Sequence, residues 1–418
     1  MRRRAPSIAA ALGALALLAG LAGLSWLAAR QERLDGATRV ALASAAPRMA
    51  ATGGPAQSFP TLPSTAAAVP DRARAIGPDE VEICGYGVAK AGSEAAGALE
   101  AQAQEGWERA TQSHFQRMLA SADSQTRAAA LMVSFQFAPL VELALRTSDP
   151  TIYAMALAAC DRRAVEPAQS QACQMVNAEQ GARLDVDNAA AWFSVAGQAA
   201  ARGEPEAVAA ALHRASVATR LHYRTAEFAA LAIAAMPEPL PRAEQAQILV
   251  AAIGIQAALS MPQYQVLTRH CDEARVRDSN HRQTCSALAE LLVTKGPTLL
   301  DLRIGRRIGE RVGWPLERTE QLGAMSEALM QAVFDELTSA PGGSLSCASA
   351  ERYERWWRAQ SPGGERAAAE QIRARSGLSQ AQLMERYRRQ KQQRFAMAAA
   401  EAASEAVAAA ASAASAPR

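Results

Sequence analysis

The sequence predicts an all-α protein of stacked antiparallel helical hairpins, preceded by a single N-terminal transmembrane helix. Three observations carry this. Apolar residues make up 50% of the chain while aromatics are only 5%, much of the difference being alanine, the strongest helix former. Apolar side chains recur at three-and-four spacing, and the alternation that marks strands is almost absent. Residues 8–29 carry no charge and follow closely on Arg2, Arg3 and Arg4.

That uncharged run is 22 residues long. A helix rising ~1.5 Å per residue would cover with it the ~30 Å hydrocarbon core of a bilayer. The run is longer than the hydrophobic region of a cleavable signal, and Leu27-Ala28-Ala29 at its end has a large residue where a small one is needed. A membrane anchor over 1–30 is therefore the leading reading. Cleavage after Ala41-Leu42-Ala43, giving a secreted chain, is the alternative. Arg30, Arg33, Arg39 and Arg48 follow the span, so Lys/Arg bias is nearly balanced. The compact Arg2–Arg4 cluster favours an N-terminus in the cytoplasm. In a bacterium the bulk would then be periplasmic, held at the inner membrane through residues 8–29.

Residues 31–78 read as a tether. Pro47, Pro55, Pro60, Pro63 and Pro70 punctuate it, and few large apolar side chains are available to bury. Such a chain has a mean reach of roughly 35–40 Å. The folded region expected next spans 79–343. Val81 to Gly87 is the one strand-like stretch, too short for a sheet. The first helix carries Trp107, Thr111, His114, Phe115 and Met118 as a buried stripe. A second runs from Ser124 to Leu145, interrupted at Pro139. Helical pairs of similar size follow: 151–162 with 169–183, 188–202 with 206–220, 225–236 with 242–258, and 262–276 with 282–294. Two longer helices come next, broken at Gly313-Trp314-Pro315. Residues 344–396 predict C-terminal helices with Tyr353, Trp356 and Trp357 on one of them and a capping box at Ser379–Gln382. Residues 397–418 are an Ala/Ser-rich tail of low complexity.

The spacing of the pairs, roughly 34–38 residues, falls in the range of stacked helix-pair repeats. Around Asp185 to Trp192 the chain resembles a tetratricopeptide repeat: Trp192 falls at the early aromatic position, Gly203 at the turn glycine and Ala215 at the late small position. Val186 and Arg220 stand where prolines would, and Val195-Ala196 replaces a Leu-Gly pair. The resemblance covers one good unit near 188–220 and loosely its neighbours. It implies a concave surface that recognises peptide segments. A non-repetitive helical bundle is the competing architecture.

The six cysteines suit disulfides in an oxidising compartment. The midpoint of Cys160 and Cys173 falls in the Glu166–Pro167 turn, and that of Cys271 and Cys285 falls at Asp278. Each pair thus faces itself across a hairpin, where Cα atoms approach to bridging distance. Elimination leaves Cys84 with Cys347. A zinc reading of His270, Cys271, His281 and Cys285 competes at the second pair, but adjacent residues on a helix point about 100° apart, so His270 and Cys271 cannot share an ion.

Net charge is +3, which gives no reason to expect nucleic acid. No phosphate-loop, dinucleotide, nucleophile-elbow or metalloprotease motif occurs, so no cofactor and no catalytic residue is assigned. Arg303, Arg306, Arg307 and Arg311 line one helix side, a solvated face or a site for anions. A second basic cluster follows Arg386. Trp192, Arg202 and Tyr223 are the candidate partner contacts, with intra-repeat packing the stronger reading for Trp192. The expected function is a membrane-tethered extracytoplasmic scaffold for another envelope protein or peptide. An envelope-acting enzyme with an acid/base carboxylate, recognisable by a deep pocket holding a buried carboxylate of raised pKa, and a purely structural spacer are the alternatives.

Overall fold

The computed structural model describes residues 76–161, 171–259, 263–338, 342–343, 345–360, 363–393 and 396. The expected membrane span, most of the tether and the Ala/Ser-rich tail lie outside them. Among the described residues no helix is long and apolar enough to cross a membrane. Contacts divide the chain into Met1–Glu80 and Val81–Arg418; only 76–80 of the first unit are described, and the second holds the helical array.

The strand-like stretch is more than a fragment. β1 (Glu80–Ile83) and β2 (Gly87–Lys90) pair as a two-stranded hairpin. Gly85 at φ 79° and Gly87 at φ 138° supply the turn, a backbone region that glycine enters without steric cost. The free edge of β1 is taken from far along the chain: Glu82 N donates to Gly342 O at 3.0 Å and Cys84 N to Leu345 O at 3.0 Å. Without that remote partner a hairpin this short would be marginal.

Helices α1 to α5 lead into the centre. α1 (Glu94–Leu119) starts at the Ser93 cap and buries Thr111, His114 and Met118. α2 (Ser124–Val133) is capped by Asp123. α3 spans Phe137–Thr147. The break between α2 and α3 sits at Ser134–Gln136, with Phe135 at φ 56°. It precedes the expected break at Pro139, because proline in the first turn of a helix gives up an N–H that has no intrahelical partner anyway. α4 (Pro150–Cys160) is opened by Asp149, whose carboxylate accepts from Thr151 N at 2.8 Å and Ile152 N at 3.0 Å. The helix expected over 169–183 is split, since Asn177 caps a new one, α5 (Ala178–Leu184).

α6 (Ala189–Ala201) and α7 (Pro205–Ser216) form the best hairpin. Gly203 at φ 73° ends the first arm and Pro205 opens the second. α8 (Glu227–Ala234) and α9 (Arg242–Ala258) form another. α10 (Tyr264–His270) is shorter than expected, ending at Cys271. α11 (Ser279–Lys295), α12 (Leu299–Val312) and α13 (Leu316–Thr338) follow, with Gly313 left-handed at φ 90° between the last two. α14 (Cys347–Gln360), α15 (Gly364–Arg375) and α16 (380–393) complete the described array.

The hairpins do not stack in chain order. α6 and α7 pack directly on α10 and α11, sharing a core of Trp192, Phe193, Leu212, Leu267, Leu288 and Leu292. The intervening α8–α9 hairpin instead packs against α1, α2 and α14. Its Phe228, Ala229, Ala232 and Ala252 join a separate core with Met132, Leu140, Ile152 and Met155. A third core holds Leu302, Leu329, Trp356, Ile372 and Leu383, so the C-terminal helices dock on the body of the fold. Alanine-rich faces permit these close approaches, since a methyl group fills little depth between helices.

Candidate functional site

The crossover from one core to another happens at 217–227, and the polar side chains concentrate there. The segment 220–222 lies along the α5–α6 turn: Ala189 N donates to Arg220 O at 3.0 Å and Arg220 N to Asp187 O at 3.2 Å. Asn188, buried, clips it from both directions, accepting from His222 N at 2.9 Å and donating to His222 O at 2.8 Å. Asp185, also buried, accepts from Asn188 Nδ2 at 2.7 Å, from Arg224 Nε at 3.1 Å and from Arg220. Glu227, at the start of α8, meets His222 Nε2 at 2.6 Å, Arg224 at 3.4 Å and the Thr151 hydroxyl at 3.2 Å.

Burial alone would raise both carboxyls. At Asp185 the hydrogen bonds and charges of Arg224, Asn188 and Arg220 outweigh it, and its pKa falls below the ordinary value. At Glu227 the contacts of His222, Arg224 and Thr151 do the same. Both acids are therefore ionised and paired at neutral pH. Thr151 donates to Glu227, so the cluster joins α4, the α5–α6 turn and α8.

A second network lies inside. Tyr223 and Tyr264 direct their hydroxyls at Asp301 Oδ1, at 2.6 Å and 2.8 Å. Thr298 donates its hydroxyl at 2.7 Å and its N–H at 3.0 Å to Oδ2. Burial pushes Asp301 above the usual carboxylate range, against the pull of those donors. This is a buried acid of raised pKa, yet its acceptor sites are engaged, and it closes the capping box at the start of α12. Tyr223 is driven well above an ordinary phenol, by burial first and then by Asp301.

The residues singled out from sequence fall in different places. Arg202 caps α6 at the surface and pairs with Glu204 at 2.8 Å and Glu179 at 3.5 Å. Trp192 is 9% exposed and Tyr223 8%. Trp192 donates its indole N–H to Val186 O at 2.8 Å, with Arg214 stacked 4.9 Å from its ring. Both aromatics are largely buried in the core beneath the α6–α7 hairpin. The basic face on α12 is largely internal bookkeeping of charge: Arg306 and Arg307 pair with Glu310, and Arg311 donates to the carbonyls of Thr268 and Cys271. Arg386 and Arg388 pair with Asp335 and Glu327.

The cysteines are paired as Cys84–Cys347, Cys160–Cys173 and Cys271–Cys285, with Cα separations of 4.6, 5.3 and 5.7 Å. At the third pair both sulfurs are committed to the bridge, and His270 and His281 stack at 4.9 Å beside it. Among the described residues no group of three or more His, Cys, Asp or Glu is placed to hold a metal. Two surface depressions stand out. One, of about 550 Å³, lies between the Met236–Leu240 loop and Arg358. The other, of about 40 Å³, is walled by the Cys84–Cys347 bridge.

The chain is thus an all-α, disulfide-stapled helical protein. No family model, curated protein or solved structure matches it.

Proposed function

We propose that the chain is a membrane-tethered, extracytoplasmic helical scaffold that binds another envelope protein or peptide. The observation that carries this reading is the complete pairing of the cysteines, including a bridge between residues 263 apart in sequence. Structural disulfides persist where the surroundings are oxidising. The uncharged run 8–29 supports delivery to that side of a membrane, with signal cleavage as the alternative route. The α6–α7 hairpin and its tetratricopeptide-like residues support a scaffold role, and Arg202 at its exposed turn is the first position to probe. The enzyme reading draws on Asp301, but an acid holding four hydrogen bonds serves as a brace between the 223 connector, α10 and α12.

The test is photo-crosslinking from position 202 in intact cells, followed by mass spectrometry, alongside thiol labelling of whole cells. The reading expects one or a few envelope proteins in the adducts and no labelled cysteine. Adducts confined to cytoplasmic proteins, with freely labelled thiols, would sink it. Adducts with no specific partner would leave the spacer role.

A further inference from the structure

We propose that the Cys84–Cys347 bridge is a thiol-exchange site of the folded protein, attacked at Cys347 and selective for thiols carried beside a positive charge. It goes beyond the scaffold reading and does not depend on it, since the chemistry belongs to the folded chain. The three bridges differ in access, and Cys160 and Cys173 are both partly exposed. Cys271 and Cys285 are both 0% exposed, so an attacking thiol reaches them only when the fold opens. Cys84 and Cys347 instead wall the small surface depression, with Arg242, Gln245, Glu351 and Glu354.

Within that bridge the two sulfurs are unequal. Cys84 is 6% exposed, whereas Cys347, in the first turn of α14, is half-buried. An incoming thiolate therefore meets Cys347 Sγ. The S–S bond breaks as the new bond to Cys347 forms, and Cys84 leaves as a thiolate that takes a proton from solvent. Its thiol then faces Arg242 O, which lies 3.9 Å from Sγ. A second thiol can displace the adduct from Cys347. Two electrons pass to the protein, and the reagent leaves as its own disulfide.

The charge around the depression sets the preferred reagent. Glu351 and Glu354 line it against one guanidinium, that of Arg242, 3.8 Å from Glu351. Glu354 is already held by Gln245 at 2.8 Å and Arg358 at 2.7 Å. Glu82 adds a third carboxylate, accepting from Cys347 N at 3.2 Å. A mixed disulfide bearing an ammonium group is favoured here over one bearing a carboxylate, and salt weakens the difference.

The experiment uses the full oxidised chain under native conditions with cysteamine, 2-mercaptoethanol or 3-mercaptopropionate at equal thiolate concentration. Samples are quenched, alkylated and peptide-mapped. Expected are a reagent adduct on Cys347 with Cys84 alkylated, opening about tenfold or more faster than Cys271–Cys285, and rates, each divided by that of the same reagent with an uncharged small-molecule disulfide, in the order cysteamine, mercaptoethanol, mercaptopropionate. Glu351→Gln should compress that order without changing the site of the adduct. Opening of Cys84–Cys347 only in step with Cys271–Cys285 would overturn the proposal. So would an adduct on Cys84, or rates indifferent to the charge of the reagent.

Discussion

His114 offers a quantitative test of how the α1–α8 contact is held. Its ring is completely buried, and Nε2 donates to Ala232 O at 2.9 Å. Nδ1 has no partner. Protonation would place a charged N–H where no acceptor waits, and Arg117 adds repulsion. Burial, opposed by the Ala232 bond and reinforced by Arg117, lowers the pKa from 6.5 to about 4. The folded state thus stays neutral while the unfolded chain takes up a proton. Stability from this group is complete above the unfolded pKa and is lost as pH falls from 6.5 toward 4. Between about pH 7.5 and about pH 4.5 the loss comes to about 2.5 kcal/mol. Glutamine at 114 retains a donor for Ala232 and cannot be protonated. The assay is urea unfolding of wild type and His114→Gln at both pH values. The variant's pH-dependent loss should be smaller by that amount. An equal loss in both proteins would refute the reasoning. His270, lowered to about 4 by burial, His281 and Arg275, should leave a further acid-sensitive component in the variant.

Three other outcomes are expected. Tyr223→Phe leaves Asp301 buried with one donor fewer and should cost about 1–3 kcal/mol in urea unfolding, with no change in helical content by circular dichroism. Replacing both Cys84 and Cys347 by serine removes a loop constraint over 263 residues and should cost about 5.6 kcal/mol on the chain-entropy estimate, more than replacing either short-range pair. Gly309→Ala places a Cβ 2.2 Å from Trp314 Cε3, so α12 and the Trp314 turn must separate; a loss of about 1–3 kcal/mol by thermal or urea unfolding checks it.

What the sequence reveals here is local. Gly203 and Pro205 bracket the α6–α7 turn because each solves a problem within its own few residues. The Cys160–Cys173 and Cys271–Cys285 pairs match the midpoint reading, although the turn of the first lies outside the described residues and, at the second, Cys271 lies past the end of α10 and Asp278 caps α11 instead of centring a turn. Non-local pairing is hidden. β1 finds its second neighbour at 342–345, and no spacing rule connects positions so far apart. The side-step of α8–α9 onto α1 and α2 leaves no periodic trace, since alanine-rich faces look alike whichever neighbour they meet. Asp301 closes a capping box within its own few residues, but only folding brings Tyr223 and Tyr264 onto it. Asp185 is buried against Arg220 and Arg224, 35 and 39 residues further on, which only the fold brings to it.

The bridge between Cys84 and Cys347 also decides how tension would travel. A pull on the polypeptide upstream of residue 84 crosses only the first strand before entering sulfur, and from there it reaches α14 directly. The hairpin turn, β2 and α1 are bypassed, so the mechanically easy route of unzipping from that end is shut. Load is handed instead to helices packed in the interior, which must shear together or hold.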